Sequence, residues 1–426
     1  MDIIESACTP WTASPVSSRF FAPLREALEG CEHRRRCSEL CDEDWLLTGI
    51  HRVLSDCRSG RAFLQVFGLQ APNLCPGHSA FFEALKSCRR LALCAELNTN
   101  LCNLAKSRLP DPLAAFGPLE DFELLAGDGH FHEHAVHDQA IDGTKYATGH
   151  FYLLNLRTQL LSHLCVGDQI DRKKEHDMRA LKRQDIQSLR HGAGKGRKVL
   201  YIWDRAGIDF RFWYELKNRG IYFLSREKEN MALEIVGLRA YEATDPINAD
   251  ILSDQIVGSS CGTTVRRVTF FDVLGGKTYS FITNEMTIPP GLLAQLYRMR
   301  WEIEKRFDEL KNKFGQTKAW ASSPNAKTMQ AQFICLARNL VHLFEHTLLR
   351  EEGLPNRAED HRRDKRMSVA NTKAQKAGHI LPKAYQALHR ATQCSVKLVR
   401  WLLHHLFSST SWLAACKALV TLYASL

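Results

Sequence analysis

The segment from Tyr297 to Lys311 places charged and apolar side chains at spacings that suit chemistry. At about 100° per residue, a helix over this segment puts Tyr297, Arg300, Glu304 and Lys311 on one stripe. The adjoining face is apolar and consists of Met299, Ile303, Phe307, Leu310 and Phe314. Placing a carboxylate beside packed apolar surface costs free energy, so such a residue usually has a function. Glu304 is therefore a candidate functional residue.

Two further acids end apolar, strand-like runs. Asp128 ends the run that starts at Phe122, and Asp204 ends the run that starts at Val199. Three converging carboxylates without a histidine requirement suit a hard cation such as Mg²⁺, and two such ions can assist in-line displacement at phosphorus. Taken singly, each aspartate could be a turn former and Glu304 a solvated partner of Arg300. The interpretation depends on the combination.

The elements that would position these acids come in an informative order. Strands are predicted at 122–128, 149–156, 159–166, 199–204 and 221–225, with helices at 175–189 and 210–219. A β-rich stretch over about 230–285 contains a hairpin around Gly275-Gly276, and a long helix opens at Pro289-Pro290. This order predicts an α/β fold, a ribonuclease H-like core with a β insertion before its last catalytic helix. Asp128 and Asp204 would then lie on adjacent strands.

Helical segments flank the predicted core. Residues 1–115 are predicted to form an N-terminal helical domain, residues 120–350 the core with its insertion, and residues 351–426 a C-terminal helical region. Within the last region, the polar run from Asn356 to Arg366 resembles a solvated linker. A further helix is predicted from Lys327 to Arg350.

The composition indicates a folded protein and restricts its setting. Hydrophobic residues make up 45% and charged residues 24% of the 426 residues, which are ordinary globular values. The net charge of +10 suits a polyanionic partner such as nucleic acid. No apolar run is long enough to cross a bilayer. Fourteen scattered cysteines without a signal peptide favour a reducing cytoplasm.

Two groups of residues offer a zinc site as an alternative. Cys31, Cys37 and Cys41 lie near His33 but lack paired C-x-x-C spacing. The second group alternates histidine with acids, as in transition-metal sites, although a surface loop of histidines beside the first strand is the preferred interpretation. Its members are His130, His132, His134, His137 and Asp138.

Basic clusters at residues 173–174, 182–183, 195–198 and 362–363 would suit DNA phosphates or else form a solvated face.

The spacing Tyr297, two residues, Arg300, three residues, Glu304, six residues, Lys311 reproduces the YREK signature of the insertion sequence four family of DDE transposases. The chain resembles that family over about residues 120–350. Three other segments also resemble it, namely Asp204 to Gly207, Phe223 to Arg226 and Ile282 to Asn284.

The resemblance implies that Asp128, Asp204 and Glu304 form a catalytic triad holding two Mg²⁺ ions, for which Mn²⁺ could substitute. Asp128 is preferred to Asp142 as the first acid because it ends an apolar strand run. The resemblance also implies that Tyr297, Arg300 and Lys311 contact DNA phosphates near the cleaved end. A flipped end base would stack on an aromatic residue of the insertion. The candidates are Phe270, Phe271, Tyr279 and Phe281.

The implied activity is cut-and-paste DNA transposition of an insertion sequence, with phosphodiester hydrolysis followed by strand transfer. The partners would be terminal inverted repeats, target DNA and a second copy of the chain, in a bacterial cytoplasm at the nucleoid. Two alternatives stay open: a ribonuclease H-like nuclease without strand transfer, and a catalytically silent DNA-binding protein derived from a transposase.

Overall fold

The structure is a computed structural model that describes residues 14–35, 40–55, 57, 59–167, 175–259, 261–381, 385 and 396–424. Cys37 and the basic pair Lys173-Lys174 lie outside the described residues. Among the residues that are described, none of the helices combines the length and apolar character needed to cross a membrane.

A nine-stranded mixed sheet organises the molecule. Its strands are β1 (Phe122–His132), β2 (Thr148–Asn155), β3 (Leu161–Val166), β4 (Lys198–Ile202), β5 (Ile221–Arg226), β6 (Leu233–Leu238), β7 (Ile251–Ser259), β8 (Thr264–Asp272) and β9 (Lys277–Thr283). The spatial order is β3-β2-β1-β4-β5-β9-β8-β7-β6. Strands β1, β4 and β5 run parallel to one another, whereas β2 and β3 are antiparallel to their neighbours. This topology confirms the predicted ribonuclease H-like α/β fold.

The β-rich insertion extends the same sheet. Strand β9 pairs antiparallel with β5, and β8, β7 and β6 follow in turn as an antiparallel meander. The predicted hairpin is the β8–β9 turn at Gly275-Gly276, where Gly276 has a φ of 63°. The insertion therefore lies beside the core strand that precedes it.

Helices cover both faces of the core sheet. In chain order they are α1 (Pro15–Phe20), α2 (Ala22–Glu29), α3 (Asp42–Leu54), α4 (Gly60–Gln70), α5 (His78–Ala84), α6 (Cys88–Lys106), α7 (Asp177–Lys182), α8 (Ile186–Arg190), α9 (Phe210–Lys217), α10 (Pro290–Met299), α11 (Trp301–Asp308), α12 (Pro324–Glu352), α13 (Arg357–Lys376), α14 (Val396–His405) and α15 (Trp412–Ala424). Side chains alternate along each strand, so Leu124 and Leu125 enter different cores. One core contains α7 to α9, and the other contains α12 with the N-terminal helices.

Helix α12 is the central support of the second core. It packs against α3, α6 and β3, and its residues from Phe333 to Val341 are nearly all buried. The contact with α3 is close, because a Cβ on Gly49 would lie 2.3 Å from the ring of Phe333. The N-terminal helices and the nine-stranded sheet thus share a single apolar core.

Three predicted segments differ in the structure. The long helix after Pro290 is interrupted at Arg300, whose N–H bonds to the Tyr297 carbonyl in a tight turn, and its end is a π turn over Glu309–Lys313. The predicted helix at 175–189 is two helices, α7 and α8, because Asp185 caps the second one. The predicted linker from Asn356 is wrong for most of its length, since α13 starts at Arg357. Charged side chains spaced three and four apart support a helix as well as a coil does.

Candidate functional site

Asp128 and Asp204 lie at the same level of two neighbouring parallel strands. The β1–β4 pairing ends with Ala126 opposite Ile202. Asp128 comes two residues after Ala126, and Asp204 comes two residues after Ile202. The side-chain carboxylate of Asp204 is oriented by a local hydrogen bond, in which Oδ1 accepts from the Ala206 N–H at 2.7 Å. Its carbonyl oxygen accepts the Ser225 hydroxyl of β5 at 2.6 Å. The two acids predicted on adjacent strands are therefore brought to one edge of the sheet.

The indole of Trp203 packs between two glycines beside these acids. A Cβ on Gly127 would lie 2.4 Å from Cζ2 of Trp203, and a Cβ on Gly207 would lie 2.4 Å from its Cβ. Because a real Cβ cannot approach another atom that closely, both positions need glycine, which lets the backbone lie against Trp203. Trp203 is 1% exposed. Gly127 and Trp203, the residues that precede Asp128 and Asp204, thus pack closely against each other.

Arg300 connects the first acid with the third. Its Nη2 lies 2.7 Å from Oε1 of Glu304, and its Nη1 lies 3.5 Å from Oδ2 of Asp128. The guanidinium is also 6.0 Å from the centre of the Tyr297 ring. Arg300 lies where α10 ends and α11 begins, and α11 packs on β1 and β2. Glu304 is thereby placed beside the strand-borne acids.

Negative charge is concentrated at this edge. Burial raises the pKa of Asp128 to about 6, and the charges of Asp204 and Glu304 act in the same direction while Arg300 opposes them. A shift of this kind in a cleft is typical of functional sites.

Asp177 is a fourth carboxylate at the same edge that the sequence pattern did not reveal. It is the first residue of α7, and its Oδ1 lies 3.7 Å from the position a Cβ would take on Gly129. Burial, followed by the charges of Asp204 and Asp128, raises its pKa to about 7. The only sequence signal was an acid at the start of a predicted helix, which is common for capping reasons.

The other predicted contacts are distributed around the cluster. Tyr297 packs on Phe281 with ring centres 4.7 Å apart, close to Arg300. Lys311 is exposed on the π turn, and its charge acts on His130 and His132. The rejected alternative Asp142 sits in an exposed turn with a φ of 48°.

Two of the histidines near the first strand are buried, so the prediction of a surface loop is wrong for those two. His130 and His132 belong to β1 and are 2% and 0% exposed. Because β1 alternates, they share a face with Asp128, where His150 of β2 adjoins them at 4.7 Å from His132. His163 of β3 completes the row, with its Nε2 3.3 Å from Nδ1 of His150. The apolar neighbours Phe307 and Tyr152 cover them.

Burial lowers the pKa of each histidine in this row, to about 4 for His132 and to about 3 for His130 and His163. An unfolded chain takes up these protons near pH 6.5, whereas the folded chain does not. Stability contributed by the neutral histidines is therefore complete above pH 6.5 and is lost as the pH falls towards 4. The raised pKa values of Asp128 and Asp177 act against this trend.

We accordingly expect the midpoint temperature of unfolding to decrease as the pH is lowered from 6.5 to 4.5. His132→Gln is expected to reduce the slope of this midpoint against pH. A fully shifted histidine contributes about 1.4 kcal/mol per pH unit. Thermal unfolding followed by circular dichroism at several pH values measures the slope. His361→Gln, on an exposed helical surface, is the matched control and leaves the slope unchanged. A slope unaltered by His132→Gln would contradict the assignment.

An aromatic pocket adjoins the acids on the side of the β insertion. Its volume is about 350 Å³, and it is lined by Phe270, Tyr279, Phe281, Tyr297 and Trp301 together with Arg226, Arg298 and Arg300. Tyr279 and Phe281 are stacked 6.4 Å apart, and Arg226 lies over the Tyr279 ring at 4.6 Å. Trp301 is 58% exposed at the rim. Aromatic faces beside guanidinium groups form a surface on which a planar ring can stack.

The chemistry of the donors suits a hard divalent cation. Asp128, Asp204 and Glu304 offer only carboxylate oxygens, with Asp177 nearby, and these are the ligands that Mg²⁺ prefers. Within the described part of the chain, no three His, Cys, Asp or Glu side chains stand close enough to hold a metal ion in their present positions. Arg300 supplies the neutralising charge between Asp128 and Glu304 in this arrangement.

Comparison with known proteins gives the family of the chain. The chain is 25% identical over 149 residues to the protein named "Putative transposase y4zB" of Sinorhizobium fredii, a match that spans 34% of this chain and 42% of that protein's length. A family model described as "Transposase DDE domain" matches residues 123–340, just over half of the chain, and includes β1, β4 and α11 with their acids. An acid-bearing ribonuclease H-like sheet and this match lead to one conclusion, that the chain belongs to the DDE-domain transposase family.

Proposed function

We propose that this chain is a cut-and-paste DNA transposase of the insertion sequence four type. One observation carries the proposal: two strands at one sheet edge and one helix bring together Asp128, Asp204 and Glu304, with Arg300 bonded to the third acid and near the first. The YREK spacing is the reason for proposing the insertion sequence four type. The DNA would be the terminal inverted repeats of an insertion sequence and its target.

Asp128, Asp204 and Glu304 are proposed to hold two Mg²⁺ ions, for which Mn²⁺ could substitute. Bound there, the ions would supply Lewis-acid stabilisation to the attacking and leaving oxygens of an in-line displacement. Asp177 faces the same carboxylates and would add to the negative field that attracts the cations. Arg300, released from Asp128, would turn towards the phosphate oxygens, because guanidinium matches phosphate geometry.

Two displacements at phosphorus account for the chemistry. In the first, a water oxygen attacks the phosphodiester at the element end, the bond to the 3′ oxygen breaks, and that oxygen takes up a proton. In the second, the freed 3′-hydroxyl loses its proton and attacks a target phosphodiester, so one bond forms as another breaks. The acids beside Trp203 and α11 would hold these groups in line. The opposite strand could be cut through a hairpin.

The aromatic pocket is proposed to hold a base flipped out at the cleaved end. Its 350 Å³ exceeds the size of one base, and Tyr279 and Phe281 are partners for stacking. Tyr297 joins the pocket to Arg300, so a base held there would fix the neighbouring phosphate near the acids. Lys311 would contact the backbone from the other end of α11.

The flanking regions receive proposed roles as well. The helices within residues 1–115 would recognise element ends, residues 120–350 would form the catalytic domain, and residues 351–426 would assist assembly. Two copies of the chain would synapse two ends in a bacterial cytoplasm, at the nucleoid.

The experiment that tests the proposal offers the purified protein a plasmid carrying the gene with its flanking DNA, together with a second target plasmid, in Mg²⁺. We expect excised element and, by sequencing, target molecules joined to the element's 3′ ends. Cut product without joined product would indicate the nuclease. DNA binding with neither product would indicate the silent DNA-binding protein.

A further inference from the structure

The turn between β2 and β3 holds one residue in a backbone conformation that favours glycine. Gln159 has a φ of 60°, in the left-handed region that other L-residues adopt only at a cost in free energy. Its N–H donates to the carbonyl of Asn155 at 2.8 Å, and its side-chain amide donates to the carbonyl of Leu156 at 3.2 Å. Glycine would fit this turn without strain, so the presence of a glutamine side chain indicates that the side chain has a role.

The side-chain oxygen of Gln159 contacts the helix that carries Glu304. Arg306 of α11 is 1% exposed, and its Nη2 donates to Oε1 of Gln159 at 3.1 Å. The two residues are 147 positions apart in the chain. This hydrogen bond therefore joins the β2–β3 turn to α11 only in the folded protein.

Four residues form a closed ring of polar contacts around this hydrogen bond. Arg306 donates from Nη1 to Glu309 at 2.6 Å, and Nε of Arg338 lies 3.5 Å from the other carboxylate oxygen of Glu309. Arg338 of α12 also donates from Nη1 to the carbonyl oxygen of Gln159. The backbone of Gln159 is thus bound by α12, while its side chain binds α11. Removal of that side chain breaks the ring at one bond and leaves the backbone contact in place.

Arg306 and Glu304 lie on opposite sides of α11. At about 100° per residue, their side chains are about 160° apart around the helix axis. Glu304 is directed towards Arg300, whose Nη2 lies 2.7 Å away, and Arg306 is directed towards the β2–β3 turn. The contact with Gln159 therefore restricts rotation of α11 about its own axis. Such a restriction matters because a displacement of about 1 Å at a reacting group can reduce a rate a hundredfold.

We propose that Gln159 is a positioning residue for Glu304 and that it acts through Arg306. This inference rests on the proposed function, because it takes Glu304 as a metal ligand. The left-handed turn directs the Gln159 side chain to Arg306, and glycine in the same turn could not make that contact.

The test measures the affinity of the full chain for Mn²⁺ by electron paramagnetic resonance in the absence of DNA. Gln159→Gly keeps the turn and removes the side chain, and Gln159→Asn keeps an amide that is one carbon shorter. Both variants are expected to raise the Mn²⁺ dissociation constant by about tenfold, as expected for residues that orient a metal ligand. The midpoint temperature of unfolding of Gln159→Gly should change little, since relief of the left-handed backbone offsets the lost hydrogen bond.

Asp142→Gly is the matched control, because Asp142 also has a positive φ, of 48°, in an exposed turn. This variant is expected to keep the wild-type affinity for Mn²⁺. Wild-type affinity in both Gln159 variants would overturn the proposal and leave the proposed function intact. Loss of affinity only together with a lower unfolding midpoint would also refute it, because Gln159 would then support the fold as a whole. If Glu304→Gln bound Mn²⁺ as wild type does, Glu304 would not be a metal ligand and both proposals would fail.

Discussion

Replacing Glu304 by Gln is expected to reduce DNA cleavage in Mg²⁺ by at least about a thousandfold while DNA binding changes little. The amide keeps the shape of the side chain but removes the negative charge, and metal assistance at phosphorus supplies several kcal/mol, with about 1.4 kcal/mol for each factor of ten. The neutral side chain also loses its ion pair with Arg300 at 2.7 Å. Gel assays of plasmid cleavage and anisotropy without divalent metal measure the two properties separately.

Glu302→Gln is the matched control for this variant. Glu302 lies on the same helix, is 5% exposed and pairs with Lys305 at 2.7 Å, away from the other acids. We expect this variant to retain cleavage within a few-fold if it folds as wild type does. Cleavage preserved in Glu304→Gln, or an equal loss of cleavage and binding, would remove Glu304 from the proposed triad.

Glu309→Leu is expected to lower the free energy of unfolding by about 3–5 kcal/mol. Glu309 is fully buried and holds two buried cations, with Arg306 at 2.6 Å and Arg338 at 3.5 Å. Its removal leaves both guanidinium groups in the interior without their common counter-charge. Because Arg306 extends from α11 and Arg338 from α12, the same change is also expected to loosen the helix that carries Glu304.

Urea unfolding monitored by tryptophan fluorescence measures this effect. Glu351→Leu provides the control, because Glu351 forms an ion pair with Arg350 and its side chain is 43% exposed, where such pairs contribute at most about 1 kcal/mol. A triple variant, Glu309→Leu with Arg306→Met and Arg338→Met, should regain part of the lost stability, since the two guanidinium groups that Glu309 neutralises are removed together with it. A Glu309→Leu variant as stable as the control would contradict the proposed role of the cluster.

The strand pattern in the sequence predicted the ribonuclease H-like part of the fold well. Apolar runs at Phe122 and Val199 became β1 and β4, and the hairpin at Gly275-Gly276 became the β8–β9 turn. These elements are predictable because short continuous apolar runs and turn residues are local signals that involve only a few neighbours. The polar run after Asn356 misled for the same reason, since local polarity does not distinguish a solvated helix from a linker.

The buried histidines could not be predicted from their neighbours in the chain. His130 and His132 alternate with Gly129 and Phe131, and this pattern suits an exposed loop or a strand equally. Their burial depends on β2, β3 and α11, which close over them from more distant parts of the chain. Asp177 was missed on similar grounds, because its closeness to Asp128 depends on how α7 returns to the sheet.

By itself, the sequence determined the order of strands and helices and the acids that follow the apolar runs, because both follow from apolar runs and spacing within short segments. Only the tertiary structure decided which neighbours each residue of the stripe from Tyr297 to Lys311 faces. The break at Arg300 and the π turn after Asp308 rotate its residues relative to one another. Arg300 consequently reaches across to Asp128, and Lys311 lies towards the histidines. Packing of α11 against β1 and β2 imposes that geometry, and no local pattern encodes it.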